Sequence, residues 1–206
     1  MRKEGDHVLA EDINIRTPQP IQKQIDELSV TLRLARASFD IWWHYSNKQF
    51  VSANKDRLQH FSQFFYFLNE ANLFAFVVRI CVLFDRRKDT VSLEQALGEL
   101  GRRPNFNAQA LEDAKKLLRE VAPSVKKLLT LRNNAMAHKS KFLKFSESYK
   151  LAKITPDEMR AVTEQSLSIL NILRAGVNMS AWQFDHDFVA EDLAEMDESI
   201  GFLGNK

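Results

Sequence analysis

One cysteine in 206 residues excludes an intrachain disulfide, and with it the disulfide-stapled secreted scaffolds. That residue, Cys81, lies in the apolar run 74–84 and reads as inert core. A single thiol also excludes a CxxC zinc site, and none of His7, His44, His60 and His186 stands in HExxH spacing. Asp185-His186-Asp187 reads as a solvated acidic turn rather than a metal site. Six glycines and five prolines are too few for a turn-rich β architecture, and no segment sustains period-two alternation. The glycines form neither GxGxxG nor GxxxxGK[ST], so no phosphate-cradling loop is expected. The opening Met1-Arg2-Lys3-Glu4-Gly5-Asp6 lacks the apolar region of a signal peptide. The longest apolar stretch, 73–84, is interrupted by Arg79 and is short for a bilayer. These absences predict a soluble, cytoplasmic protein with no membrane partner, no metal and no cofactor.

Hydrophobic residues, by contrast, make up 45% of the chain and include fifteen phenylalanines, enough for one well-cored domain. Residues 1–20 are polar and read as an N-terminal arm. Apolar positions from Ile25 to Trp42 recur every three or four residues and predict a helix over 21–46. A second long helix is expected over 54–84, capped by Asn54, with the aromatic run 61–67 in its core-facing surface. Ser92, with Gln95 at N3, predicts a short helix ending near Gly101, and another starts near Asn107. Pro123 is expected to open a new helix as its first residue, running to about 139–141. Thr155-Pro156-Asp157-Glu158 is a helix start with cap, proline and N3 glutamate in place. The expected fold is all-α, an up-and-down bundle of about five or six helices over 21–179, followed by an acidic tail over 180–206.

Charge is unevenly placed. Residues 1–179 carry 28 basic and 20 acidic side chains, whereas 180–206 carry seven acids and one lysine. Between 115 and 153 there are eleven Lys or Arg against Glu120 and Glu147. A basic body of this kind suits a nucleic-acid partner. The tail is then a candidate brake on that surface, or, through Trp182, Phe184 and Phe188, an ordinary core-covering helix.

Within the basic segment stands Leu131-Arg132-Asn133-Asn134-Ala135-Met136-Ala137-His138-Lys139. A histidine titrating near neutral pH beside a fixed guanidinium is equipment for handling phosphates; the bland reading is a solvated helix face. On a regular α-helix, positions six apart point roughly 120° from each other, so Arg132 and His138 do not share a face. A second copy crossing about a two-fold axis brings Arg and His together from opposite chains, which predicts a homodimer.

Arg-polar-x4–6-His on a late helix of an all-helical chain resembles the signature of the HEPN superfamily (higher eukaryotes and prokaryotes nucleotide-binding domains). A second stretch, Arg79-Ile-Cys-Val-Leu-Phe-Asp85-Arg-Arg-Lys-Asp89-Thr90-Val-Ser92-Leu93, resembles its abortive-infection, AbiU-type branch. The likeness covers about residues 25–173. It implies a HEPN-like bundle and a metal-independent endoribonuclease of toxin or phage-defence type, acting on RNA as a homodimer and restrained by a possible antitoxin protein. His138 would then be the general acid or base, Arg132 the stabiliser of phosphoryl charge, and Asn133 the group that orients substrate or histidine. Lys139, Lys141, Lys126 and Lys127 would hold RNA phosphates. Glu70, Asn72 and Arg79, on the helix that packs near the motif in such bundles, are supporting candidates, with an internal ion pair as the equal alternative. The competing reading is a non-catalytic HEPN-like module that binds RNA, nucleotides or an antitoxin and uses the fold to dimerise.

Overall fold

The computed structural model describes residues 20–87, 89–137, 145–184, 186–199 and 201, with the side chains of 135–137, 145–146 and 186–188 not among them. In chain order the elements are α1 (Ile21–Ser46), α2 (Lys48–Ala53), α3 (Lys55–His60), α4 (Ser62–Leu83), α5 (Leu93–Leu100) and α6 (Ala108–Leu131). A π-helical turn (Arg132–Ala137) follows, then α7 (Phe145–Ala152), α8 (Pro156–Ala175) and α9 (His186–Ser199). The described residues are all-α with no strand, and their nine α-helices exceed the five or six expected. The N-terminal arm, residues 1–19, lies outside the described residues.

The core forms where α1 and α4 run antiparallel. Ile25, Leu28, Leu32, Ala35, Phe39 and Trp42 are one buried stripe of α1, at the three- and four-residue spacing a single face requires. The Phe39 and Phe76 rings lie 5.4 Å apart and the Tyr45 and Phe65 rings 5.1 Å apart, so rising numbers on α1 meet falling numbers on α4. The inner faces of α6 and α8 close the bundle with Val121, Val125 and Leu128 from one and Val162, Ile169 and Leu173 from the other.

The extra helices come from breaks in the expected second helix. Asn47 caps α2, its side chain accepting the Phe50 N–H at 2.9 Å. Asn54 does not cap α3. Its side-chain amide turns back to donate to the Phe50 carbonyl at 3.1 Å, and its backbone sits near the bridge region at φ −118°, ψ 21°. Phe61, at φ −104°, ψ 29°, makes the second break. The aromatic run that follows is a further correction: Phe65 is 5% exposed, but Phe64 is 58% and Phe67 64% exposed. A helix shows roughly one residue per turn to a single neighbour, and at this end α1 takes only the Phe65 face.

By length and composition α4 could cross a membrane. Its C-terminal half instead lies in the core through Leu73, Phe76, Val77, Ile80, Cys81 and Leu83.

Pro123 does not begin a helix. It stands inside α6, on an exposed face where the Arg119 carbonyl that loses its N–H partner can be hydrated. An interior proline costs about 3 kcal/mol, which burial of Val121, Val125, Leu128 and Leu131 on the opposite face outweighs. The start of α8 is as expected, with a complete capping box between Thr155 and Glu158.

The tail is folded onto the bundle in its described part. Trp182 and Asn171 exchange two hydrogen bonds, each 2.8 Å, and Phe184 is buried under the Arg36 guanidinium. On α9, Leu193 joins Tyr45, Phe50 and Phe65 in a second apolar cluster. Asp197, only 3% exposed, accepts the Tyr45 hydroxyl at 3.0 Å and lies 2.6 Å from His44 Nε2. Burial, reinforced by the Asp197 carboxylate, pushes the Tyr45 hydroxyl well above its ordinary pKa, so it stays a donor. The core-covering reading of the tail therefore holds for Trp182 and Phe184, while the side chain of Phe188 lies outside the described ones. Asp197→Ala should cost roughly 1–3 kcal/mol, the toll of unpaired buried partners. Thermal melting checks this, and an unchanged melting temperature would remove the anchoring role.

Candidate functional site

Arg132 stands where α6 ends. Its N–H is shared between the Leu128 and Leu129 carbonyls, and from there the chain widens into the π turn. Such turns are rare and concentrate at functional sites. The α-helical register thus ends at Leu131, because i→i+5 closure turns each residue through less than 100°. The Arg132 guanidinium donates from Nε and Nη2 to Asn133 Oδ1, at 3.2 and 3.1 Å. The rest of its five donors have no partner among the described residues. Asn134 instead bonds back to the Thr130 carbonyl at 3.0 Å. His138, Lys139 and Lys141 lie outside the described residues.

The guanidinium sits in the electrostatic neighbourhood of Asp85 and Cys81, at the C-terminal end of α4. Asp85 accepts the Arg87 backbone N–H at 3.0 Å and Arg87 Nε at 3.1 Å, which closes a turn after α4. The Arg87 backbone bond leads, and the Arg87 side chain and the Arg132 charge add to it, in holding the Asp85 carboxyl below the usual range. A depressed carboxyl pKa keeps Asp85 anionic through neutral pH, and its attraction for Arg132 is lost only as pH falls through that low value. Burial pushes the Cys81 thiol up to about 12, so it is no nucleophile at neutral pH.

Beside Arg132 opens a groove of about 960 Å³ between α5, α6 and the end of α4. Its floor is apolar, with Phe84, Leu97, Leu111, Leu118, Val125 and Leu129. Its rim carries Arg86, Arg102, Lys115, Arg119, Lys126 and Arg132 against two acids, Asp85 and Glu94. Arg86 pairs with Glu94 at 3.2 Å and Lys115 with Glu112 at 2.7 Å, while Arg102, Arg119 and Lys126 have no ion pair among the described residues.

The other candidates are dispersed. Lys126 lines the groove, but Lys127 does not and pairs with Glu158 of the α8 cap at 2.5 Å. Arg79 donates to Ser38 Oγ on α1 at 2.9 Å, and Asn72 to the Leu68 carbonyl of its own helix at 2.8 Å. Glu70 is half-buried and has no ion pair among the described residues. The rim residues Arg86, Arg102 and Arg119 were not singled out from sequence. The 115, 119, 122, 126, 129 spacing, one stripe of a helix, was the available signal.

The family model HEPN_AbiU2, described as AbiU2, matches residues 19–196. No curated protein and no solved structure matches the chain. With an all-helical bundle, the Arg132-Asn133 pair at the end of α6 and a match spanning most of its length, the chain belongs to the HEPN superfamily, in the abortive-infection-associated AbiU2 family.

Proposed function

We propose that this protein is a cytoplasmic, metal-independent endoribonuclease of the abortive-infection type. The observation that carries the reading is Arg132, its guanidinium bonded to Asn133 and with no other partner among the described residues, at the mouth of a groove with a cationic rim. In the reaction the RNA 2′-oxygen attacks the adjacent phosphorus. The P–O2′ bond forms as the P–O5′ bond breaks, leaving a 2′,3′-cyclic phosphate and a free 5′-hydroxyl. His138 serves as general acid or base for the proton leaving O2′ or arriving at O5′. Arg132 stabilises the charge that gathers on the non-bridging oxygens, and Lys139, Lys141 and Lys126 hold flanking phosphates.

The site is proposed to be completed across a two-fold axis, with Arg132 of one protomer beside His138 of its partner, and to be restrained in the cell by an antitoxin protein. Sedimentation at micromolar concentration is expected to give a dimer, and a monomer there would remove the shared site. The function itself is tested by incubating single-stranded RNA with the wild-type protein and with His138→Ala and Arg132→Ala. Binding without cleavage by wild type would favour the non-catalytic module.

A further inference from the structure

The groove beside Arg132 is more than a charged surface. Along α6 its rim runs from Lys115 through Arg119 and Lys126 to Arg132, about 25 Å at 1.5 Å per residue. A row of cations alone would suit any polyanion, but this row stands above an apolar floor that ends at Phe84, a half-buried aromatic ring near Arg132. The opposite wall carries Gly98, an interior residue of α5 that opens onto the groove. A Cβ there would meet no atom within 4 Å, so no neighbouring side chain requires the glycine. A helix interior nonetheless disfavours glycine relative to alanine. The position leaves backbone bare and the groove wide where something outside the chain can enter.

We infer that this groove binds a single strand of RNA, its phosphates along Lys115, Arg119 and Lys126 and its unstacked bases on the apolar floor, one of them against Phe84 beside Arg132. This inference rests on the RNA reading above and adds the form of the substrate and its path. Single strands offer bases free to stack on an aromatic ring. A duplex keeps its bases inside and presents mainly phosphates and 2′-hydroxyls, for which an apolar floor is useless. A second copy of the chain is the weaker occupant of the groove beyond Arg132, because a two-fold contact along that stretch sets Lys115, Arg119 and Lys126 against their own copies.

The test uses full-length protein carrying His138→Ala, so that RNA survives, and a labelled single-stranded RNA of about ten nucleotides read by anisotropy. Three changes are compared in that background. Arg119→Glu reverses a rim charge. Lys116→Glu also reverses a charge, on an exposed lysine of α6 that follows Lys115 but points off the groove and lies 3.9 Å from Glu120. Gly98→Leu fills the groove and gives α5 a better helix former. Single-strand affinity is expected to fall tenfold or more with Arg119→Glu and Gly98→Leu, and less than threefold with Lys116→Glu. The Gly98→Leu protein should melt at or above its parent, and duplex of the same sequence should compete poorly.

Equal losses with Arg119→Glu and Lys116→Glu, unimpaired binding by Gly98→Leu, or full competition by duplex would overturn the inference. So would a Gly98→Leu protein that sediments as a smaller species than its parent, which would assign the groove to contact between copies. The two readings fail separately. Wild type that leaves RNA intact while the groove changes weaken binding overturns the nuclease alone. Wild type that cleaves while those changes bind normally overturns the groove alone.

Discussion

Arg132→Ala is expected to slow RNA cleavage by roughly 100-fold or more, and His138→Ala by a comparable factor. In the proposed reaction the arginine's part is electrostatic. Two of its donors hold Asn133 and the rest have no partner among the described residues, so a phosphoryl group that gains charge in the transition state would find them available. Alanine removes that charge together with the group that orients Asn133. Lysine is not an adequate replacement, because a point charge on a flexible stem cannot hold Asn133 and a phosphoryl oxygen in one plane. Arg132→Lys should therefore recover only a small part of the loss. The Leu131 core contact that anchors the end of α6 is untouched by either change, so both variants should melt like wild type. Cleavage should persist in EDTA and leave a cyclic phosphate. Activity that vanishes with the chelator, or that survives both alanine substitutions, sinks the mechanism.

Phe39→Ala should destabilise the fold by about 3–5 kcal/mol, the usual cost of truncating a fully buried phenylalanine. The Phe39 ring is completely buried, packs on Trp42 and Phe76 at 5.8 and 5.4 Å, and has the Arg160 guanidinium 5.8 Å from its centre. Removing it opens a cavity at the contact that joins α1 to α4 and strips an aromatic face from a half-buried cation. At about 2–4 °C per kcal/mol for a domain of this size, the melting temperature should fall by something near 10 °C. Phe64→Ala is the contrast. That ring is 58% exposed, and its loss should stay within about 0.5 kcal/mol. Similar losses for the two rings would place the aromatic surface of α4 under cover that α1 does not provide.

Those two phenylalanines mark where the chain is legible and where it is not. Spacing identifies the buried stripe of α1 because every position on it is covered by the helices around it, so periodicity and burial coincide. The cap signals at Ser92, Asn107 and Thr155 are local hydrogen-bond chemistry, and each side chain does accept the N–H expected of it. The run 61–67 misleads because aromatic residues signal burial only where a neighbour exists, and α1 covers one face. Pro123 misleads for the opposite reason: a local preference against helix is overridden by packing on the far side of α6. Asn54 could have capped forward or bonded backward, and the sequence contains no means of choosing.

The site divides in the same way. Arg132 and Asn133 are adjacent, so their pairing is nearly implicit in their order. The π turn that carries them is a backbone event with no sequence mark in this chain. The groove was counted as charge and missed as shape, since its walls come from segments up to 48 positions apart, Phe84 and Arg132.

The placement of α9 has a consequence for the first moments of any meeting with RNA. The helix carries six acids and no lysine or arginine, and it is docked where α1 ends and α4 begins. The cationic groove lies at the other end of α4, about 30 Å away along its axis. The acidic α9 and the cationic rim contribute a separation of charge along the bundle, on which an approaching polyanion exerts a torque. The groove end is drawn in while the α9 end is turned away, so collisions are sorted by orientation before any contact forms. Orientation of this kind acts on the association rate rather than on the lifetime of the complex, and it fades as salt shortens the reach of the field.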